Sequence, residues 1–322
     1  MGKNIRITLF GESHGKGVGA LITGMPPHIP VDEAAIDGAL ARRRPEGPFA
    51  TPRKEPDPWE ILSGTYKGKT TGDPLVIWIP NKDTKSEDYD NLPFRPGHGD
   101  YTAHVKTFGA DDPRGGGYRS GRLTAPLVAA GAIAAGFLET QNIYITSEIT
   151  EIGGEQDPAR QQKALAQAKE EQDSLGGPRE NSAQSALAHA IYSVGAVKSV
   201  AFGAGDAAAR LKGSQNNDPY IEENGHIHTT TNRAGGTLSG ITTGEAMEIT
   251  VAVKPTPSIG KKQHTVDRRG KNTEIELKGR HDTALVCRIP VVLEAAAAIE
   301  ILDLWCERQK EIALFEKIGE NQ

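Results

Sequence analysis

The sequence is short of cysteine and of aromatic residues, and each shortage excludes something. Two cysteines in 322 residues, Cys287 and Cys306, make neither a disulfide framework nor the spaced pairs of a zinc site. Such usage fits a reducing cytoplasm. Aromatic residues make up 5% of the chain while glycine occurs 37 times, which points to many tight loops around an aliphatic core. Basic excess is missing too: a net charge of −5 gives no global attraction for nucleic acid or an anionic membrane. Residues 1–20 hold no apolar run of signal-peptide length. The longest apolar run, "LTAPLVAAGAIAAGFL" (123–138), is Ala-rich and too short to span a bilayer comfortably, so it reads as a buried helix.

No stretch has the composition of a linker, and residues 1–322 read as a single domain. Strands are expected at 4–10, 74–80, 143–152, 196–202, 245–255 and 273–279, from apolar runs or alternation such as Met247, Ile249, Val251 and Val253. Helices are expected at 31–44, from Pro126 to about 139, at 159–171, at 182–194, and from Pro290 to near Lys317. Residues 81–122 are rich in turn formers and read as one long functional loop region.

Chemistry-bearing motifs sit in the loops. "GESHG" (11–15) fits the nucleophile elbow G-x-S-x-G, which would make Ser13 the nucleophile of a serine hydrolase. The context argues against it, because "KGVGALITG" places glycines where the helix after an elbow should begin. "GTYKGKT" (64–70) has one residue too few for a phosphate-binding P-loop, and a strand follows it. His226 with His228, or His98 with His104, would supply too few ligands for a metal. Arginines, by contrast, cluster beside glycine and proline: Arg42, Arg43, Arg44 and Arg53, then Arg95, Arg114, Arg119 and Arg122, then Arg280 and Arg288. On an acidic protein that pattern suits the grip of a small polyanion, since the guanidinium fork matches phosphate and carboxylate.

"GESHG", "RRRP", "SGTYKGKTTGDP", "RPGHGDYT", "RGGG", "NRAGGTLSGITTGE", "KPTPSI" and "KGRHD" occur in the order, and nearly the spacing, seen in chorismate synthases. The chain resembles that family from residue 5 to about 300. The resemblance implies an α+β fold, a β-α-β sandwich with helices packed between antiparallel sheets, in a cytoplasmic homotetramer. It implies an enzyme that uses reduced FMN to eliminate phosphate from 5-enolpyruvylshikimate 3-phosphate, giving chorismate in the shikimate pathway. By the same resemblance His14 lies near the leaving phosphate, His98 lies near the flavin and helps set its charge, and Asp282 is the base. Flavin contacts carried over by position are Arg119, Ser120, Gly195, Ala196, Ser239, Lys254, Thr256, Ser258 and Arg280. Substrate contacts carried over are Ser13, Arg44, Arg53 and Arg122.

The sequence departs from the family pattern in places. "YRSGRL" (118–123) stands where Arg-Ser-Ser-Ala-Arg-Glu is usual, Ser239 replaces a glycine, and the loop around Pro48 is short and lacks a basic residue before Arg53. "DSLGGPRENS" (173–182) runs into a helix where the family has a further strand and loop. A homologue that binds flavin or an anion without turnover is therefore the alternative reading, with the Ser13 hydrolase a distant third. Some family members reduce their flavin with NADPH. Without the basic anchor near Pro48, this chain is expected not to oxidise NADPH at a useful rate.

Overall fold

The computed structural model describes residues 4–44, 56–82, 92–95, 98–152, 155–157, 160–161, 184–238, 241–277 and 284–319. An antiparallel sheet of order β1-β2-β6-β3 forms one outer layer, built from β1 (Arg6–Gly11), β2 (Gly17–Thr23), β3 (Glu60–Ser63) and β6 (Leu75–Pro80). Strands β4 (Thr65–Tyr66) and β5 (Lys69–Thr70) make a small hairpin between β3 and β6. The second outer layer pairs β7 (Val197–Phe202) with β12 (Ile249–Val253). Short hairpins β8 (Tyr220–Glu223) with β9 (His226–Thr229), β10 (Thr237–Leu238) with β11 (Ile241–Thr242), and β13 (Gln263–Val266) with β14 (Asn272–Ile275) are the remaining strands among the described residues.

Helices fill the space between the layers. Helix α1 (Glu33–Arg43) begins at Asp32, whose carboxylate accepts from the backbone of Ala34 and Ala35, and ends on arginines that suit the dipole. Two short helices, α2 (Asp100–Lys106) and α5 (Gly213–Asn216), lie in loop regions. Helix α3 (Thr124–Thr140) packs on β2 and β6 on one side and on α6 (Pro290–Gly319) on the other. Helix α4 (Gln184–Tyr192) joins α6 to β7. The order is thus sheet, helices, sheet.

Sequence chemistry explains the layering. Leu75, Ile77 and Ile79 of β6 are buried and alternate with partly exposed neighbours, and Ile249, Val251 and Val253 of β12 do the same on the far layer. Each such side chain contributes about 1.5–3 kcal/mol when fully buried. The two long apolar helices approach closely because their contact surface is small: a Cβ on Gly131 would lie 2.3 Å from that of Ala295. The apolar run 123–138 is therefore a core helix clamped between a sheet and a second helix.

Three expectations change. Residues 143–149 alternate in burial but, among the described residues, the 143–152 stretch carries only the bridge from Ile152 to Glu155; a strand pattern predicts a face, and the ladder needs a partner. The loop region 81–122 holds α2, with Asp100 in its first turn and His104 and Lys106 in its last. Strand β2 was hidden by Gly17 and Gly19, over which the stacked rings of Phe10 and Trp78 lie, 6.1 Å between centroids. The 159–171 helix lies mostly outside the described residues.

Candidate functional site

His14 stands in the turn joining β1 to β2, closed by a hydrogen bond from Gly15 N–H to the Glu12 carbonyl at 3.1 Å. Both Ser13 and His14 are buried. The Ser13 hydroxyl donates to the Arg114 carbonyl at 3.2 Å and lies 3.1 Å from His14 Nδ1. A hydroxyl has one proton, so the bond to the imidazole runs from His14 Nδ1–H to Ser13 Oγ. Nε2 is then the ring nitrogen that gains or loses a proton. This order of donors is the reverse of a serine hydrolase, where the histidine takes the serine proton. With a strand following the turn, the elbow reading fails.

Arg114–Arg119 folds over this turn. Gly115, Gly116 and Gly117 have φ of 59°, 85° and 53°, a run that L side chains rarely adopt. Space forbids side chains as well. A Cβ on Gly115 would lie 2.4 Å from the His14 ring, and one on Gly116 would lie 2.8 Å from His98 Cε1. The glycine loop is wedged between the two imidazoles, and bare backbone is all that fits.

His98 is held from behind. Its Nδ1 lies 2.6 Å from Asp100 Oδ1, while Arg95 donates to the same carboxylate through Nε at 2.7 Å and an η-nitrogen at 2.8 Å. That η-nitrogen is also 3.2 Å from Nδ1, but guanidinium nitrogens only donate, so the Nδ1 proton points to Asp100. Burial opposes ionisation of Asp100; hydrogen bonds from His98 and Arg95, with their charges, outweigh it and hold the carboxyl well below the usual range.

Five of the eight clustered arginines among the described residues have internal carboxylates. Arg42 pairs with Glu294, Arg95 with Asp100, Arg114 with Asp112, and both Arg43 and Arg122 with Asp57. Arg122 is buried, and its Nε donates to Asn81 Oδ1 at 3.0 Å. Arg44 donates to the Pro56 carbonyl at 2.5 Å, and the side chain of exposed Arg119 passes Gly99. Ser120 accepts from Arg122 N–H, opening the turn into α3. The expectation that these arginines jointly grip a polyanion is therefore narrowed: several are spent on the protein itself.

A second set gathers where β12 ends. Lys254 N–H donates to the Ala196 carbonyl at 2.9 Å, and Ala196, next to Gly195, has a φ of 78°, rare for a residue with a side chain. Burial first, and the charge of Lys198 second, push the Lys254 ammonium below its ordinary value. Thr256 is half-buried and Ser258 buried on the same segment. Asp282, Arg280, Ser239 and Arg53 lie outside the described residues. A groove of about 710 Å³ beside α1 is lined by Glu33, Asp37 and Glu60, whose charges repel a polyanion, so it is a poor rival to the histidine site.

The family model described as chorismate synthase matches residues 5–306. The chain belongs to the chorismate synthase family. The chorismate synthase of Methanococcoides burtonii is 41% identical over 346 residues, covering 94% of this chain and 94% of its own. That of Chitinophaga pinensis is 41% identical over 332 residues, covering 98% of each. A solved structure, "Crystal Structure of Chorismate Synthase", superposes with a TM-score of 0.73 at 27% identity, covering 100% of this chain and 99% of that one. The chain is accordingly a chorismate-forming lyase of aromatic amino acid biosynthesis, with the α+β sandwich of a chorismate synthase.

Sequence reasoning found His14, His98 and the glycine loop but missed Asp57 and Asn81. The only signal for Asn81 was its place directly after the β6 run "LVIWIP".

Proposed function

We propose that the chain converts 5-enolpyruvylshikimate 3-phosphate to chorismate and phosphate by 1,4-elimination, with reduced FMN as cofactor and His14, His98 and Asp282 as the groups at the reacting atoms. The observation that carries this is the placing of two imidazoles on either side of one glycine loop, in a chain of this family. The residues present suit FMN. Lys254, part-buried at the end of β12 with the Lys198 charge nearby, would be a cationic partner for an anion such as a flavin phosphate. Gly195, Ala196, Thr256 and Ser258 then supply backbone and hydroxyl groups around it, with Arg119, Ser120, Ser239 and Arg280 as further contacts.

When bound, a reduced flavin supplies electron density to the substrate and takes it back, so no net oxidation results. The protein groups handle the rest. The bond from carbon to the phosphate oxygen breaks, a C–H bond breaks, and the proton passes to the Asp282 carboxylate. His14, with Nδ1–H fixed on Ser13, presents Nε2–H to the departing phosphate. His98, fixed through Nδ1 on Asp100, presents Nε2 toward the glycine loop and would help set the charge of a bound flavin. Arg44 and Arg53 hold the substrate's anionic groups.

Incubation without oxygen, with chemically reduced FMN and substrate, should release phosphate and chorismate together. Reduced FMN that binds more tightly with substrate but yields no product would establish the lapsed homologue instead. NADPH, FMN and protein mixed in air should show no protein-dependent loss of nicotinamide absorbance. We further propose a single domain, a homotetramer and a cytoplasmic location, with no nucleic-acid or membrane partner.

A further inference from the structure

We propose that Asn81, itself fixed by Arg122 and Asp57, is the positioning residue for His14; this rests on the reading above, in which His14 serves the leaving phosphate. The Asn81 amide nitrogen lies 2.9, 3.1 and 2.9 Å from the carbonyl oxygens of Glu12, Ser13 and Gly15. Two amide hydrogens are shared among three acceptors that bracket His14 on both sides. Backbone adds a fourth tie, Asn81 N–H to the Lys16 carbonyl at 3.1 Å.

The amide cannot turn over. Its oxygen faces Arg122 Nε–H, which only donates, so the NH₂ group must face the turn. Arg122 in turn is held by Asp57 and by the Pro80 carbonyl at 3.4 Å. Asp57 is 2% exposed, has a φ of 47°, and receives Arg43 as a second cation. A buried carboxylate with two guanidinium partners is a rigid anchor, because any displacement leaves a buried charge unpaired. The chain of contacts Asp57–Arg122–Asn81 ends on the backbone that carries His14. Arg122, expected from the resemblance to touch substrate, thereby acquires a role inside the protein.

The test is kinetic and spectroscopic. In anaerobic chorismate formation Asn81→Ala should lower kcat about 10²-fold, the usual cost of a small misplacement, with KM little changed. In a His14→Ala background the same substitution should cost little more, because Asn81 acts through His14. An undiminished further loss in that background, or a normal kcat in the single variant, overturns the proposal. Nitrogen-15 spectra of the His14 ring give a readout without turnover. At a pH where the ring is neutral, the wild type should show one fixed Nδ1–H tautomer and Asn81→Ala an averaged ring; identical spectra overturn the proposal. If Asn81→Ala does not fold, Asn81→Asp carries both tests, since it keeps the volume and the oxygen toward Arg122 but loses the donor. A wild type that makes no chorismate refutes the function and leaves the spectra to decide the positioning.

Discussion

Substituting alanine for Gly115 tests whether the glycine loop sets the position of His14. The added Cβ would lie 2.4 Å from His14 Cε1 and Nδ1 and 2.6 Å from Ser13 Oγ. Restoring ordinary contact moves the imidazole by about 1 Å, and a misplacement of that size costs roughly 10²-fold in rate. Backbone strain is separate: a φ of 59° costs an alanine about 1–2 kcal/mol, which lowers the population of folded protein without changing the kcat of what remains folded. The two effects part when kcat is normalised to folded enzyme by active-site titration with reduced FMN, alongside a urea midpoint. Gly38→Ala is the control. It lies within α1 with nothing inside 4 Å, so it should gain about 0.5–1 kcal/mol and keep full kcat. Gly115→Ala with a lowered urea midpoint but wild-type kcat would refute the argument that the loop positions His14.

Three further perturbations follow from the contacts. Asp100→Asn removes the carboxylate paired with buried Arg95 and should cost about 3 kcal/mol at neutral pH. Because the folded carboxyl is held below the ordinary aspartate range, that advantage is complete above the unfolded value and lost as pH falls through the folded one; urea midpoints that diverge further in acid would contradict this. Asp303→Ala strips the acceptor that takes Asn4 N–H at 2.6 Å and Ile5 N–H at 2.5 Å, tying β1's entry to α6. A buried donor left unsatisfied costs roughly 1–3 kcal/mol, and hydrogen exchange at Ile5 should quicken; unchanged exchange refutes the tie. Lys254→Gln should weaken FMN binding at least tenfold, and wild-type affinity should fall with rising pH earlier than an ordinary lysine would allow. Equal affinity in wild type and variant would remove Lys254 from the flavin site.

The layers were legible wherever burial follows a period. Alternation marked β12, and the Ala-rich runs after Pro126 and Pro290 marked α3 and α6. Strand β2 was not legible, because its outer face is glycine and the apolar cover comes from Phe10 and Trp78 on neighbouring strands. Periodicity counts side chains on the strand itself and cannot register a face covered from outside. Residues 143–152 show the converse: the alternation is present, while a ladder among the described residues is not.

The histidines of the candidate site were visible in sequence, and the reason lies in local chemistry: His98 finds Arg95 and Asp100 within five residues. The arginines misled for the opposite reason. Arg122 meets Asp57 across 65 positions and Arg42 meets Glu294 across 252. A sequence displays each cation beside its neighbours and leaves its counter-ion anywhere in the chain, so clustered arginine reads as an anion trap until the carboxylates are placed. Buried Asp57 turns two of those cations into scaffolding. What is left for an anionic substrate is a smaller set, and its power depends on geometry held by the paired ones. The same carboxylate that removes Arg122 from solvent aims Asn81 at the turn of His14. Charge in this protein acts on the chemistry largely through position.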